Sequence, residues 1–232
     1  MNRIIVSASV LIASMLVSTV VSAAPPMRFL QAKVKEARTL LGTKVTKGSP
    51  EAAKIDDQLR TLIDPVLNFD RMSENALRTH WPTLNESQRS DFIALFRALL
   101  FHSYLTRIRK ADEAYTIDYE SQEAKGTKAA TVTAITRTKK AEIELVFHLI
   151  LGEGQTWVVE DIVIDEVSLV ENYREQFSRI ISKDGYVVLL QKMADRLVEL
   201  GGAIPAQVTS VKAAKKTAKP VGTPATAKPT AQ

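Results

Sequence analysis

The sequence predicts an α+β fold in which helices precede and follow an antiparallel β-sheet. Two changes in the spacing of apolar residues indicate this order. Apolar positions recur at helical spacing from about residue 28 to 110, alternate with polar ones from about 115 to 165, and return to helical spacing from 169 to 200. A layer of helices packed on a mostly antiparallel sheet is the arrangement that buries both kinds of apolar face.

Four helices are predicted before the sheet. Their ranges are 28–41, 50–63, 70–80 and 85–110. Ser49 followed by Pro50 is typical of a helix start, and Asp70 is expected to cap the third helix. Asn85 and Gln88 form a capping-box pattern before the longest helix. Gly42, Asp64-Pro65 and Trp81-Pro82 are expected to end the first three helices.

Four strands are predicted next, over 115–123, 128–138, 142–151 and 156–165. Short turns between successive strands imply an antiparallel meander. Strict alternation on the fourth strand places Trp157, Val159 and Val163 on one face, and Val158, Ile162 and Ile164 on the other. Two helices, beginning near Leu169 and near Val187, complete the fold.

Apolar residues are in surplus on the longest predicted helix and on the third strand. The helix is apolar on nearly all sides between Phe92 and Ile108, which exceeds the single stripe of a surface helix. One face of the third strand is wholly apolar from Ile143 to Leu151. The surplus is explained either by a thick core or by a cavity between helix and sheet, and the periodicity leaves both open.

The N-terminus has the pattern of a secretory signal peptide. Asn2-Arg3 begins the chain, an apolar run follows over 4–21, and Val21-Ser22-Ala23 forms a small-residue cleavage site before Ala24. The alternative is a membrane anchor, because the apolar run is just long enough to span a bilayer core. Frequent Ser and Thr and the pair Pro25-Pro26 favour cleavage, and hence a periplasmic protein.

Charge is concentrated at the C-terminus. The formal net charge is +5, and the five lysines after residue 201 are accompanied by no acid, so the rest of the chain is near neutral. This distribution argues against nucleic-acid binding, which requires basic residues on a folded surface. Residues 203–232, rich in Lys, Ala, Pro and Thr, are predicted to be disordered. They are interpreted as a passive terminus or as a cationic arm for anionic lipid surfaces.

Residues for catalysis or metal binding are scarce. The chain has no cysteine, and His80, His102 and His148 match no metal-binding spacing. No nucleophile elbow, phosphate-binding loop or dinucleotide fingerprint occurs. Glu160, Asp161, Asp165 and Glu166 form a local acidic cluster, which is interpreted as an ordinary strand end rather than as an acid–base pair. We therefore expect no catalytic residue, no metal and no cofactor.

Three blocks resemble the Mla-pathway phospholipid-binding proteins, also called the toluene-tolerance auxiliary family. They lie at 69–100, 103–105 and 157–177. The last is the most specific, because Val-Ser-Leu-Val-x-Asn-Tyr-Arg at 167–174 follows a strand that begins with tryptophan. The sequence departs from the family pattern at Asp165 and in its lysine-rich tail.

The resemblance implies a monomeric periplasmic carrier that shuttles a glycerophospholipid between an outer-membrane lipoprotein complex and an inner-membrane ABC transporter. It also implies an apolar cavity between the helices and a curved sheet related to the NTF2-like cone. The resemblance covers about residues 28–200, and the lipid-binding domain is predicted to span residues 24–202. The residues expected to include the cavity lining are Phe96, Leu99, Leu100, Tyr104, Leu145, Phe147, Leu149, Val159, Ile162, Ile164, Val167 and Tyr173. Two alternatives remain: a carrier of a hopanoid or other isoprenoid lipid, and an NTF2-like isomerase or hydrolase using Asp161 or Glu160.

Overall fold

Six α-helices and five β-strands make up the part of the chain that the structure, a computed structural model, describes. That part comprises residues 24–46, 48–110, 115–139 and 141–209, with backbone alone for 106–110. The elements are α1 (Pro26–Leu41), α2 (Pro50–Ile63), α3 (Phe69–Leu77), α4 (Glu86–Lys110), β1 (Thr116–Lys125), β2 (Ala129–Arg137), β3 (Glu142–Leu151), β4 (Trp157–Ile164), β5 (Val167–Ser168), α5 (Leu169–Asp184) and α6 (Tyr186–Glu199). Across these described ranges, the helices lack the combination of length and hydropathy needed to cross a bilayer.

Two of the predicted helix starts are confirmed by their caps, and one is wrong. Ser49 accepts a hydrogen bond from the backbone N–H of Ala52, and Asn85 and Gln88 form the reciprocal capping box at 2.9 Å. The third helix begins earlier than expected, because Asn68, not Asp70, accepts a bond from the N–H of Arg71. It also ends at Leu77, and a 3-10 turn over Trp81–Thr83 leads into α4.

The sheet is the predicted antiparallel meander with one additional strand. Its order is β1-β2-β3-β4-β5, and β5 adds two residues to the edge of β4. The reversal is a two-residue turn in which Asp165 and Glu166 have φ of 46° and 67°. The prediction of four strands was short by one because this turn lacks the usual glycine.

A β-bulge in β4 corrects the predicted faces of that strand. His148 of β3 pairs with Asp161, but the next residue, Leu149, pairs with Val159, so Glu160 is the extra residue. The bulge reverses the alternation beyond it. Trp157, Val159, Ile162 and Ile164 therefore share one face, contrary to the strict alternation predicted from the sequence.

This shared face, called here the inner face, is the side of the sheet that the helices cover. Tyr119, Ala134, Leu145 and Ile164 form one row of directly paired residues across β1 to β4. Val132, Phe147 and Ile162 form a second row, and Ala130, Leu149 and Val159 a third. Helix α1 contacts β1 and β2, and its Leu30 belongs to the same buried cluster as Val132 and Leu149.

A separate helical core lies between α3, α4, α5 and α6. Phe92, Leu95 and Phe96 on α4 are inaccessible to solvent and pack with Phe177 and Leu190 from the last two helices. A smaller cluster joins Phe101 and Leu105 of α4 to α2 and the end of α1. Helix α4 is therefore covered on several sides, as its apolar surplus predicted.

The packed chain continues beyond residue 202, the predicted end of the domain. Val208 is inaccessible to solvent, and the backbone N–H of Thr209 donates to both carboxylate oxygens of Asp91 at 3.2 Å. Residues 203–209, called here the C-terminal strap, therefore belong to the folded body rather than to the disordered tail predicted from residue 203. The predicted signal peptide, 1–23, and the rest of the predicted tail, 210–232, lie outside the described residues.

Candidate lipid-binding site

The inner face is unevenly covered, and its half-buried end is the candidate site. Near Val159 it is filled, because Val159 is 1% exposed and packs in one buried cluster with Leu30 and Leu149. The backbone N–H of Val159 donates to the carbonyl oxygen of Val66, and its carbonyl oxygen accepts from the N–H of Asn68. Toward the other end of β3 and β4, Leu145, Phe147, Ile162 and Ile164 are only half-buried. These four apolar side chains form a continuous patch over two paired strands.

The structure separates the predicted lining residues into two groups. Six lie together on the inner face: Leu145, Phe147, Leu149, Val159, Ile162 and Ile164. Five lie on the helices: Phe96, Leu99, Leu100, Tyr104 and Tyr173. Val167 joins neither group, because it is 56% exposed on the edge strand β5.

Some residues of the helical group are packed in the helical core, and others line a groove. Phe96 packs edge-on against Tyr173 and Phe177, with ring centroids 5.1 and 5.5 Å apart. Leu99, Tyr104 and Tyr173 line a groove of about 510 Å³ between α4, α5 and α6. Leu100 is 3% exposed within the helical core. All five belong to the helical core cluster or pack against it, whereas Phe147, Leu149, Val159 and Ile162 belong to the cluster on the inner face.

Tyr119 is a polar residue of the inner face that the sequence analysis missed. It pairs with Ala134 in the same row as Leu145 and Ile164, and its hydroxyl is buried without a hydrogen-bond partner among the described residues. Burial raises the pKa of the Tyr119 phenol, and nearby Arg38 opposes this only in part. A neutral hydroxyl in the same row as Leu145 and Ile164 is suited to accept or donate one hydrogen bond to a bound molecule.

The acidic cluster on β4 has structural roles. Asp161 accepts hydrogen bonds from the N–H groups of Ile162 and Val170 and from the hydroxyl of Ser168, which itself caps α5. Asp165 accepts from the N–H of Glu144. Glu160 lies 3.8 Å from the guanidinium of Arg71. These contacts fasten the β4–β5 hairpin and the start of α5, so they give no support to acid–base chemistry by this cluster.

The described residues also show no arrangement typical of a metal-binding site. Within the residues that the structure describes, no group of three or more His, Asp or Glu side chains is arranged to hold a metal ion. His148 lies on the outer face of the sheet, opposite Asp161 in register. His102 lies on α4 beside Phe101.

Comparison with known proteins gives the family. The sequence profile of the MlaC protein family matches residues 31–195, which is more than half of the chain. The chain belongs to the MlaC family. The resemblance stated from the sequence blocks is thereby confirmed. A search of curated proteins finds no significant match.

The fold of this MlaC protein is also found in a solved structure. A phospholipid-binding protein from Ralstonia solanacearum, solved in complex with a phospholipid, superimposes with a TM-score of 0.66 at 22% sequence identity. The match covers 77% of this chain and 99% of that one. The predicted α+β architecture with a curved antiparallel sheet is therefore confirmed, apart from the number of strands.

Proposed function

We propose that this MlaC protein is a periplasmic carrier that holds the acyl chains of a glycerophospholipid against the inner face of its sheet. The observation that carries the proposal is the half-buried apolar patch formed by Leu145, Phe147, Ile162 and Ile164. An apolar patch of this kind on a helix-covered face exposes hydrocarbon to water unless something occupies it.

The energetics suit a carrier without catalytic groups. Each methylene transferred from water to an apolar environment contributes about 0.8 kcal/mol, so two acyl chains bind firmly to an apolar surface. The hydroxyl of Tyr119 supplies one polar contact beside the patch. The remaining affinity comes from burial, which explains why few polar groups are needed.

The N-terminal sequence and the family support a periplasmic setting for the carrier. The signal-peptide pattern would direct the protein to the periplasm and leave Ala24 as the first residue. We infer that the carrier exchanges lipid with an outer-membrane lipoprotein complex and an inner-membrane ABC transporter. A phospholipid cannot cross the aqueous periplasm unaided, because its chains would be exposed to water.

Mass spectrometry of the protein purified from the periplasm without detergent tests the proposal. We expect a mature chain beginning at Ala24 with phospholipid bound in a fixed ratio. Recovery of a phosphorus-free isoprenoid lipid would show that the natural ligand is a hopanoid-type lipid rather than a phospholipid. Protein that is lipid-free, and that takes up no lipid from phospholipid vesicles, would contradict the carrier function.

A further inference from the structure

A groove of about 340 Å³ lies between helix α1 and the edge strand β1. Strand β1 contributes Ile117 and Tyr119, which both lie on the inner face. The residues from α1 occupy positions i, i+3, i+4, i+7 and i+8, so they form one face of the helix: Gln31, Val34, Lys35, Arg38 and Thr39. This cleft is called here the α1–β1 groove.

Two cations lie one helical turn apart on the wall of the α1–β1 groove. Lys35 and Arg38 are three residues apart on α1, which places their Cβ atoms about 5–6 Å from each other. Both residues are exposed, so a ligand can reach their charged groups from solvent. The spacing allows one phosphate group to contact both side chains.

The guanidinium of Arg38 is oriented by Tyr115. Its carbon lies 4.7 Å from the centre of the Tyr115 ring, and Nη2 donates a hydrogen bond to the Tyr115 carbonyl oxygen at 3.1 Å. These contacts occupy one face and one donor of the guanidinium. Its other N–H groups stay available for an anion, since arginine has five such donors.

The positive charge of the groove is not compensated within the described part of the chain. No carboxylate lines the groove there, and neither Lys35 nor Arg38 forms a salt bridge with a described residue. The acidic residues beside the groove in sequence pair with other cations: Glu36 with Lys33, and Asp118 and Glu120 with Arg137. Two neighbouring cations without a counter-ion attract an anion.

The remaining polar groups favour an anionic phosphodiester. Guanidinium groups bind phosphate oxygens through paired hydrogen bonds, and a lysine ammonium adds a point charge. The hydroxyl of Tyr119 is buried, so the accessible polar side chains beside the two cations are Gln31 and Thr39, which are suited to hydroxyl groups. An ethanolamine ammonium would find two cations and no described carboxylate. We propose that the α1–β1 groove binds the phosphodiester of an anionic headgroup of the phosphatidylglycerol type.

The groove is within one lipid length of the inner-face patch. Tyr119 lies two strand spacings from Leu145 and three from Ile164 in the same row, which is about 10 and 14 Å. An acyl chain spans half of a bilayer core, or about 15 Å. A phosphate in the groove and a chain end on the patch can therefore belong to one lipid, and this part of the proposal rests on the proposed carrier function.

A chain lying along this row requires the elements above it to move. Ala134, between Tyr119 and Leu145, is inaccessible to solvent, and α1 contacts both β1 and β2. The one fully buried residue of α1 is Leu30, which lies more than one turn before Lys35. The end of α1 that carries the two cations is thus the end less firmly held, because few buried contacts mean a low cost of local opening.

NMR titration of the chain from Ala24 to Gln232 with glycerophosphoglycerol tests the groove without any acyl chain. We expect saturable shifts of backbone amides around Lys35, Arg38 and Ile117. The affinity should fall about tenfold or more in the double variant Lys35→Gln/Arg38→Gln, since one charged hydrogen bond corresponds to about that factor. The matched control is Lys54→Gln/Arg179→Gln, which removes an exposed lysine and an exposed arginine outside the groove and should bind normally.

Glycerophosphoethanolamine is the comparison ligand and should bind more weakly. Equal affinity for the two headgroups would overturn the anionic assignment. The absence of saturable shifts near the groove in the unsubstituted chain would overturn the site itself, and this result holds even if the double variant fails to fold. Unchanged affinity in a folded double variant would also overturn it.

Lipid loading distinguishes the two sources of the headgroup. The protein is incubated with vesicles of phosphatidylglycerol and phosphatidylethanolamine with identical chains, separated from them by gel filtration, and its bound lipid is quantified. A preference for phosphatidylglycerol that the double variant loses assigns the groove to the headgroup of the carried lipid. Binding of glycerophosphoglycerol without such a preference assigns it to a free glycerophosphodiester. Failure of both removes the site, and an unchanged total of bound lipid then leaves the carrier function standing. Absence of bound lipid in every chain would contradict the carrier function instead, and the titration would still decide the groove.

Discussion

The indole N–H of Trp157 donates a hydrogen bond to the backbone carbonyl oxygen of Ala24 at 2.7 Å. Trp157 is the first residue of β4 and is 9% exposed within the inner-face cluster. Ala24 is the residue that signal-peptide cleavage would place first. The bond therefore fastens the start of the proposed mature chain to the sheet, next to Met27, whose N–H donates to Gln122 of β1.

Replacement of Trp157 by Phe should lower the free energy of unfolding by about 1 kcal/mol beyond the effect of ring size, because one partly buried hydrogen bond is lost. Urea unfolding measures this difference. The control is the same replacement in a chain that begins at Met27, where the acceptor is already absent. Equal losses in the two backgrounds would show that the bond to Ala24 contributes nothing.

The C-terminal strap should stabilise the fold, whereas the residues after it should not. A chain ending at Thr209 is expected to unfold within about 0.5 kcal/mol of the full chain. A chain ending at Gly202 should lose about 2–3 kcal/mol, because it lacks the buried Val208 and the Thr209 donors to the buried Asp91. Urea unfolding of the two truncated chains measures this difference in stability. Equal stabilities would mean that the strap is not packed in solution.

Phe147 and Phe96 should respond differently to truncation. Phe96 is inaccessible to solvent in the helical core, so Phe96→Ala should cost about 3–5 kcal/mol. Phe147 is half-buried on the inner-face patch, so Phe147→Ala should cost less stability but reduce the bound phospholipid. Chemical unfolding of lipid-free protein and quantitation of extracted lipid measure the two effects. Unchanged lipid content in Phe147→Ala would show that the patch is not part of the lipid-binding site.

Local signals explain what the sequence could predict of this fold. Caps act over three or four residues, and Ser49 and the Asn85/Gln88 pair are visible without knowledge of the tertiary structure. The alternating pattern of β3 likewise depends only on the strand itself. These elements were correctly predicted because their causes lie within a few residues.

The features that the sequence did not predict depend on contacts between residues far apart in the chain. The bulge at Glu160 is stabilised by Asp161 contacts with Ser168 and Val170, which no periodicity reveals. The packing of Val208 depends on the helical core and Asp91, and the composition of the strap resembles that of the tail that follows it. The residues predicted to line one cavity lie in two separate groups for the same reason. An apolar helix such as α4 packs in several clusters at once, and its sequence does not show which residue belongs to which cluster.

The stability of the protein should fall on acidification because of His102. Burial lowers the pKa of His102, and the neighbouring Arg60 adds to this, while Asp56 opposes it. The unfolded chain therefore takes up a proton as the pH falls through about 6.5, before the folded protein does. The free energy of unfolding should decrease through that window and level off below the folded pKa. Urea midpoints from pH 7.5 to 5 measure the slope, which His102→Gln should reduce, and identical slopes in both proteins would exclude this group as the cause.

The lysine-rich segment after Thr209 should speed lipid exchange with anionic membranes at low salt. It carries five lysines and no acid: Lys212, Lys215, Lys216, Lys219 and Lys228. Each lysine near an anionic surface contributes about 1 kcal/mol, which raises the local concentration of the carrier without selecting a lipid. A chain ending at Thr209 should therefore exchange fluorescent phospholipid more slowly with phosphatidylglycerol vesicles, and a full-length chain with all five lysines replaced by Gln should match it. The difference should vanish near about 0.5 M salt, where the Debye length is only a few ångströms. An exchange rate that is the same for all three chains at every salt concentration would show that the segment is a passive terminus.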